Sequence, residues 1–401
     1  MSSPPSPSRV LRGVYLSTVF AMASYSLVVV TLPFRFQGLG LSVLQYGTVL
    51  AVYAFGMLAT ESLWGALAFR VGRPRPIVLL GALVVAILVS IGLSSSFPAF
   101  AVTLGLLGMF VIFPVPLMRW LALTARGPGT AGTGTGRYGL FFGAGLVVGA
   151  AAGPFLYVQV GFLSLVLIAG GLSGISTLFL AVLPWHEVGL PPRELGTRGQ
   201  VRAVLTRHFA LCSLLVVLYF VTYSLTVNFL QYYSVDLFQG TPTEAGYVIG
   251  AARGTALFAG FFLGPLVDRW GAARVSPAGF LLLVAGVLGT LIAASYAEMV
   301  TATLVFAVGA GWLSASLLPL ALGPVPRPAQ GTAIGVFGSF EDLGLLVGPV
   351  LIGAVYATYG AKSTFPVVAV VGLLGGAVAL MLGRNLKAQA SPSGPLERPR
   401  D

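Results

Sequence analysis

Gly65-Ala-Leu-Ala-Phe-Arg-Val-Gly72-Arg-Pro-Arg75 returns 199 residues later as Gly264-Pro-Leu-Val-Asp268-Arg269-Trp-Gly271-Ala-Ala-Arg274. Both are short glycine and arginine runs that interrupt long apolar sequence. Gly47 returns at the same spacing as Gly246. A second block repeats at a spacing of 195, where Gly136, Phe142, Gly143, Gly149, Gly153 and Pro154 return as Gly331, Phe337, Gly338, Gly344, Gly348 and Pro349. One glycine match means little in a glycine-rich chain. A series of them at fixed offset, with arginines and a Gly-Pro pair included, marks an internal duplication. The change of four residues between the blocks reads as a loop-length difference.

The sequence around these blocks belongs in lipid. Of 401 residues, 57% are apolar and 8% charged, whereas a soluble domain is about one-quarter charged. Such a chain cannot cover its surface with polar groups in water. A membrane span needs about 20 mostly apolar residues. Runs of that kind fall at 13–35, 43–67, 76–96, 98–121, 137–158, 161–184, 208–232, 243–267, 274–295, 298–322, 331–356 and 362–384. The expected fold is an all-α membrane protein, with twelve transmembrane helices in two pseudo-symmetric six-helix bundles, 13–185 and 208–385. The linker 186–207 is polar, basic and carries Pro191 and Pro192. The tails 1–12 and 386–401 hold Ser- and Pro-rich stretches that read as disordered. The first apolar run, Val14–Leu32, reads as the first membrane helix and not as a cleaved signal peptide. Parallel six-helix repeats are a transporter architecture.

The net charge of +11 does not suggest nucleic-acid binding, because the basic residues form short clusters between apolar runs and no basic stripe. They alternate by side. Arg12, Arg70, Arg75, Arg137, Arg207, Arg269, Arg274 and Arg384 fall on one face of the expected bundle, while the other carries Arg35 and Lys362 with the acids Asp236, Glu244 and Glu298. Basic loops stay in the cytoplasm. The expectation is therefore an inner-membrane protein with both termini cytoplasmic. The one cysteine, Cys212, and two histidines, His186 and His208, supply no disulfide and no zinc ligand set. No P-loop, nucleophile–base arrangement or metal cluster is visible, so neither a cofactor nor an enzymatic activity is expected.

The two glycine–arginine loops resemble the signature G-x-L-x-D-R-x-G-x-x-[KR] of the major facilitator superfamily, and the resemblance extends over nearly the whole chain. Gly65, Arg70, Gly72 and Arg75 match in the first copy, where Phe69 takes the acid's place. Gly264, Asp268, Arg269, Gly271 and Arg274 match in the second. The resemblance implies a cytoplasmic gate at these residues, with Asp268 facing the start of the fifth helix near Arg137. The glycines suit a tight turn, and the arginines suit anionic headgroups. Gly149, Gly153 and Pro154 in the fifth helix, with Gly344, Gly348 and Pro349 in the eleventh, give a small-residue face and a kink. In the fifth helix this partly resembles a motif of drug–proton antiporters. Generic tight packing is the competing reading. Leucine stands where that branch often has an arginine in the fourth helix.

Charges inside the bilayer are costly and mark function by default. Arg253 falls about ten residues into the eighth helix, near mid-depth at about 1.5 Å per residue. Glu341 and Asp342 reach similar depth in the eleventh, so an ion pair with Arg253 is one reading, and substrate binding or proton coupling is the other. Glu61 lies one turn before Gly65 and reads as a gate contact. In the superfamily architecture the cavity lies between the halves. Tyr25, Tyr219, Tyr223, Asn228 and Trp312 are the candidates to line it, and they suit an amphipathic ligand. The expected function is efflux of an amphipathic small molecule by a monomeric secondary transporter rocking in the lipid bilayer, with protons driving it through Glu341 or Asp342. Uptake or exchange of an organic anion bound by Arg253 is the alternative transport mode. A non-transporting membrane receptor is the alternative of another class.

Overall fold

The computed structural model describes residues 7–71, 74–111, 113, 115, 118, 131–183, 204, 206–326 and 329–390. Its helices are α1 (Pro7–Gly38), α2 (Val43–Val71), α3 (Pro74–Leu93), α4 (Phe97–Val111), α5 (Ala131–Ala181), α6 (Arg207–Asp236), α7 (Pro242–Trp270), α8 (Ala272–Ile292), α9 (Tyr296–Leu322), α10 (Gln330–Tyr359) and α11 (Thr364–Ala390). Ten are long and apolar enough to cross a membrane, and α4 is a shorter apolar helix among the described residues. The expected break between the fifth and sixth spans lies inside α5. There Gly161 takes φ +77°, and the chain turns back to cross a second time. Only a residue without Cβ enters that region freely. With α5 counted as two crossings, the twelve expected spans are accounted for.

Many large apolar side chains point outward: Leu79 is 71% exposed, Val182 75% and Ile292 79%. In water this would be an aggregating surface; in a bilayer it is the lipid-facing one. Helix starts at one end of the bundle are capped by polar side chains. Ser42 and Gln45 cap each other's backbone amides at α2, with N–H···O distances of 3.2 and 2.8 Å. Thr241 and Glu244 form a capping box at α7, and Ser295 caps Glu298 at α9. Each such cap is worth about 1 kcal/mol. The opposite end carries the exposed Arg12, Arg75, Arg207, Arg269 and Arg384 and is called the basic end below.

The glycine faces pack helices together within each half. Gly145, Gly149 and Gly153 of α5 lie against the α1 backbone at Val19, Ala23 and Leu27, so an added Cβ would stand 3.0 Å or less from those carbonyl oxygens. Gly344 and Gly348 of α10 lie in the same way against Val217 and Ser224 of α6. Such contacts let backbones approach where lipid gives no hydrophobic drive to associate. Ser24 adds a hydrogen bond of 2.7 Å to the Ala169 carbonyl, tying α1 to the second arm of α5.

Two seams join the halves: α2 against α10, and α5 against α7. They share a contact at the capped end. Gly47 of α2 sits on the backbone of Pro349, and Gly246 of α7 sits on the ring of Pro154. These are the same positions in the two repeats. Beside them Tyr46 packs on Phe229 and Tyr232, at ring-centroid distances of 5.6 and 5.4 Å. Gln231 reaches the Val30 carbonyl at 3.5 Å, and Gln37 reaches Asp236 at 3.5 Å. The halves are closed against each other at the capped end.

Candidate transport site

A cavity of about 390 Å³ lies between the halves. It begins at mid-depth with Arg253 and Tyr223. It runs toward the basic end past Tyr219, Phe142, Leu257 and Ala310 to Leu140, Phe261 and Ser314, which are exposed. The walls are apolar except for the Arg253 guanidinium, two tyrosine rings and Ser314. Tyr219 is held by a hydrogen bond of 3.2 Å to the Ala310 carbonyl, and its ring packs 5.5 Å from that of Tyr223.

Arg253 is 8% exposed. It does not pair with Glu341 or Asp342, which corrects that reading of the sequence. Its Nη1 donates instead to the Ser26 hydroxyl of α1, and at 3.4 Å to the Leu146 carbonyl of α5. The physical reason is helix rotation: Arg253 projects from α7 across the α5 seam, whereas Asp342 faces Glu61 of α2 and Glu341 faces Tyr219 of α6. Leu146 is the position in the first repeat that corresponds to Glu341.

The acids meet on the other seam. Asp342 of α10 is 7% exposed and faces Glu61 of α2. The Glu61 Oε1 lies 2.7 Å from where a Cβ on Gly338 would stand, one helical turn before Asp342. The second oxygen of Asp342 is buried and makes no hydrogen bond. Tyr25 and Tyr53 lie alongside, with rings 6.0 Å apart.

Of the residues singled out in the sequence, Arg253, Tyr219 and Tyr223 come together in the cavity, and Glu61 and Asp342 come together beside it. Tyr25 lies in a small void inside the first half. Asn228 is buried, and Trp312 has a buried Nε1 that makes no hydrogen bond. The turn at Gly271 uses φ +83°, as a glycine turn requires, whereas a Cβ on Gly264 would meet open space. Arg75, Arg269 and Arg274 are exposed at the basic end. Gly72 lies outside the described residues, as do the side chains at Gly65, Arg70, Arg137 and Asp268. Ser26, Tyr46, Tyr53 and Leu257 were not singled out from sequence. A serine at mid-depth in the first span was the one available signal, and hydroxyls are common enough in membrane helices to hide it.

A family model of the Major Facilitator Superfamily matches residues 14–252 and 211–400. The chain belongs to this superfamily. It is a multi-pass membrane transporter and not an enzyme. It is 27% identical over 377 residues to the multidrug resistance protein MdtG of Serratia proteamaculans, covering 89% of each chain. It is 24% identical over 359 residues to a multi-drug resistance efflux pump PmrA homolog of Lactococcus lactis, covering 86% of this chain and 87% of that one. A bacterial homolog of the human lysosomal transporter Spinster, solved in an inward-facing and unoccupied conformation, superposes with a TM-score of 0.79 at 15% identity, covering 98% of this chain and 100% of that one. The fold is that of a superfamily transporter.

Proposed function

We propose that this transporter exports an amphipathic small molecule, taken up at the basic end and released at the capped end by rocking of the two halves. The observation that carries the reading is the cavity itself. It is apolar, it holds one buried guanidinium at its inner end, and its lining reaches the exposed Leu140, Phe261 and Ser314 toward the basic end while Tyr46, Phe229 and Tyr232 close the other. An apolar wall with a few placed polar groups suits a ligand that is partly apolar and partly polar. The relatives named for multidrug efflux support the direction. The excess of arginine at the basic end supports its placement in the cytoplasm, with both termini there and the chain in the inner membrane. A monomer suffices, since both halves of the cavity come from one chain.

The test is efflux from proteoliposomes loaded with amphipathic dyes. Dye loss that needs the protein and stops with Arg253→Ala supports the reading. Loss of the same dyes at equal rate from protein-free liposomes, with specific ligand binding by the purified protein, favours a receptor instead.

One observation favours the second reading, transport of an organic anion. Among the described residues Arg253 has hydroxyl and carbonyl acceptors and no carboxylate. A buried cation without a counter-anion is costly, and a substrate carboxylate would supply one. Comparing anionic, neutral and cationic members of one dye series separates the two: the anion reading requires the anionic member to be carried at least about tenfold faster, the effect of a charge-assisted contact worth roughly 1.5 kcal/mol.

A further inference from the structure

We propose that the cavity loads sideways, from the leaflet at the basic end, through a mouth in the α5 and α7 seam. The substrate leads with its polar end toward Arg253 while its apolar end still lies in lipid. The inference rests on the efflux reading for the kind of substrate and on the structure for the route. From the capped end to mid-membrane the seam is closed. Gly246 meets Pro154, Gly250 meets Ala151 and Gly143 meets Leu257, and an added Cβ would stand 3.1 Å or less from each neighbour. Past Leu257, toward the basic end, the seam parts. A Cβ on Gly139 of α5 or on Gly264 of α7 would meet nothing within 4 Å. The cavity reaches this gap at Leu140 and Phe261, which line it and are exposed.

Depth makes this an opening to lipid. Arg269 and Trp270 are both exposed at the end of α7, a pair suited to the headgroup level. Phe261 stands nine residues before Trp270, about 14 Å deeper at about 1.5 Å per residue, in a hydrocarbon core about 30 Å thick. The rim therefore lies inside the hydrocarbon. Arg253 is eight residues further on, about 12 Å beyond the rim. Phe258, Phe261 and Phe262 share one face of α7 and are each more than half exposed. Their rings lie 6.5 Å apart for Phe258 and Phe262 and 5.4 Å apart for Phe261 and Phe262. Such a rim offers water no partner and gives a lipid-dissolved compound an unbroken apolar path. Each methylene raises partition from water into lipid about fourfold, so an amphipathic compound meets the protein mainly from the bilayer.

The repeat shows that this rim belongs to one seam. The offsets of 199 and 195 put Glu61 of α2 where α7 has Gly260, and Gly335 of α10 where α5 has Leu140. The α2 and α10 seam thus has a carboxyl and a bare glycine at the place where the other has an apolar rim. A carboxyl is costly to bring against apolar surface, which directs the substrate to the α5 side.

The first test reads the mouth without a substrate. Full-length protein with Cys212→Ala and Ser314→Cys is spin-labelled on the cavity wall and placed in liposomes. Collision of the label with oxygen, which dissolves in lipid, should exceed collision with a water-soluble nickel chelate. A nickel excess would overturn the proposal, because the cavity would then open to water. The second test follows butyl, octyl and dodecyl dansylamides in proteoliposomes. Compared at equal concentration in the membrane, the three should be carried at similar rates, since the tail trails in lipid. A cavity of about 390 Å³ that had to enclose the whole molecule would reject the longest. Gly139→Trp fills the mouth and has open space at its Cβ; it should slow all three at least about tenfold by raising the entry barrier. Gly335→Trp has the same open space on the other seam and should keep the wild-type rates. Rejection of the dodecyl compound, or equal slowing by both tryptophans, would overturn the proposal. An oxygen excess at Ser314 with no flux of any dye would sink the efflux reading and leave the lateral mouth standing.

Discussion

The two seams between the halves are copies of each other in sequence and differ in what they bury. At the capped end both use a glycine against a proline, Gly47 with Pro349 and Gly246 with Pro154. Nearer the basic end the glycines Gly143 and Gly338 again correspond. Gly143 is filled by the Leu257 side chain at 2.7 Å, while Gly338 is filled by the Glu61 carboxyl at 2.7 Å. One seam thus carries leucine and the cation Arg253; the other carries Glu61 and Asp342. Duplication supplied a symmetric hinge, and substitution then placed opposite charges on its two sides. Packing is what the halves share, and buried charge is what sets them apart.

Arg253→Ala gives the largest break in this comparison. It removes the one cation among the described residues of the cavity wall and the donor that the Ser26 hydroxyl accepts from, while the Leu146 carbonyl keeps its hydrogen bond from Ser26. Hydrogen bonds to a charged group are worth about 1.5–3 kcal/mol, so substrate affinity should fall about ten- to a hundredfold. Arg253→Lys keeps the charge but not the forked geometry, and should recover part of it.

Next in size is the hinge. Gly47 abuts the Pro349 backbone, which cannot move aside, whereas Gly246 abuts the edge of the Pro154 ring. Gly47→Ala should destabilise by about 3 kcal/mol, at the upper end for overpacking, and Gly246→Ala by about 1 kcal/mol. Thermal unfolding in detergent would compare them. Equal losses would mean that the two contacts are as alike in rigidity as they are in sequence.

Gly338→Ala and Gly143→Ala sharpen the contrast in kind as well as size. Each new methyl meets the far end of a flexible side chain, so each should cost only about 1 kcal/mol. At Gly143 the displaced group is Leu257, and nothing titrates. At Gly338 it is the Glu61 carboxyl, a group that costs more to leave poorly placed in an apolar seam. The same thermal unfolding in detergent would compare them, and a loss well above about 1 kcal/mol in Gly338→Ala alone would show that the carboxyl, unlike Leu257, has no room to move aside.

What could be read in advance follows the physics of a membrane chain. Lipid forces each span to be apolar and about 20 residues long, so the number of spans and the repeat were visible from hydropathy and glycine spacing. Depth was visible too, which is how Arg253, Glu61 and Asp342 stood out. Rotation was not. A sequence places Arg253 and Asp342 at similar depth, but not the direction in which each helix turns its side chain. Two charges at matching depth in one half invite an ion pair on paper. In the folded molecule each turns toward the other half. Gly338 shows the same limit: its repeat partner was evident, and the carboxyl filling its missing side chain was not.

Ser26→Ala is the smallest change and tests the subtlest part of the contrast. Ser26 is buried in α1, donates to the Leu146 carbonyl at 2.8 Å and accepts from Arg253. It therefore links three helices from both halves at the inner end of the cavity. Its Cβ also lies against Gly149, 2.6 Å from where a Cβ there would be, so alanine keeps the packing and deletes only the hydroxyl. Arg253 retains Leu146 as an acceptor at 3.4 Å, and the fold should lose only about 1 kcal/mol. The effect on transport depends on what the guanidinium does with its freed N–H. If it serves mainly to bind substrate, an acceptor on the ligand can take the place of Ser26, and affinity should hold or rise by a few-fold. If it serves mainly to tie α7 to α1 and α5, affinity should be unmoved while the rate of rocking increases. Measuring binding and turnover in the same preparation separates these outcomes, because ligand contact acts on the first and the inter-half tie on the second.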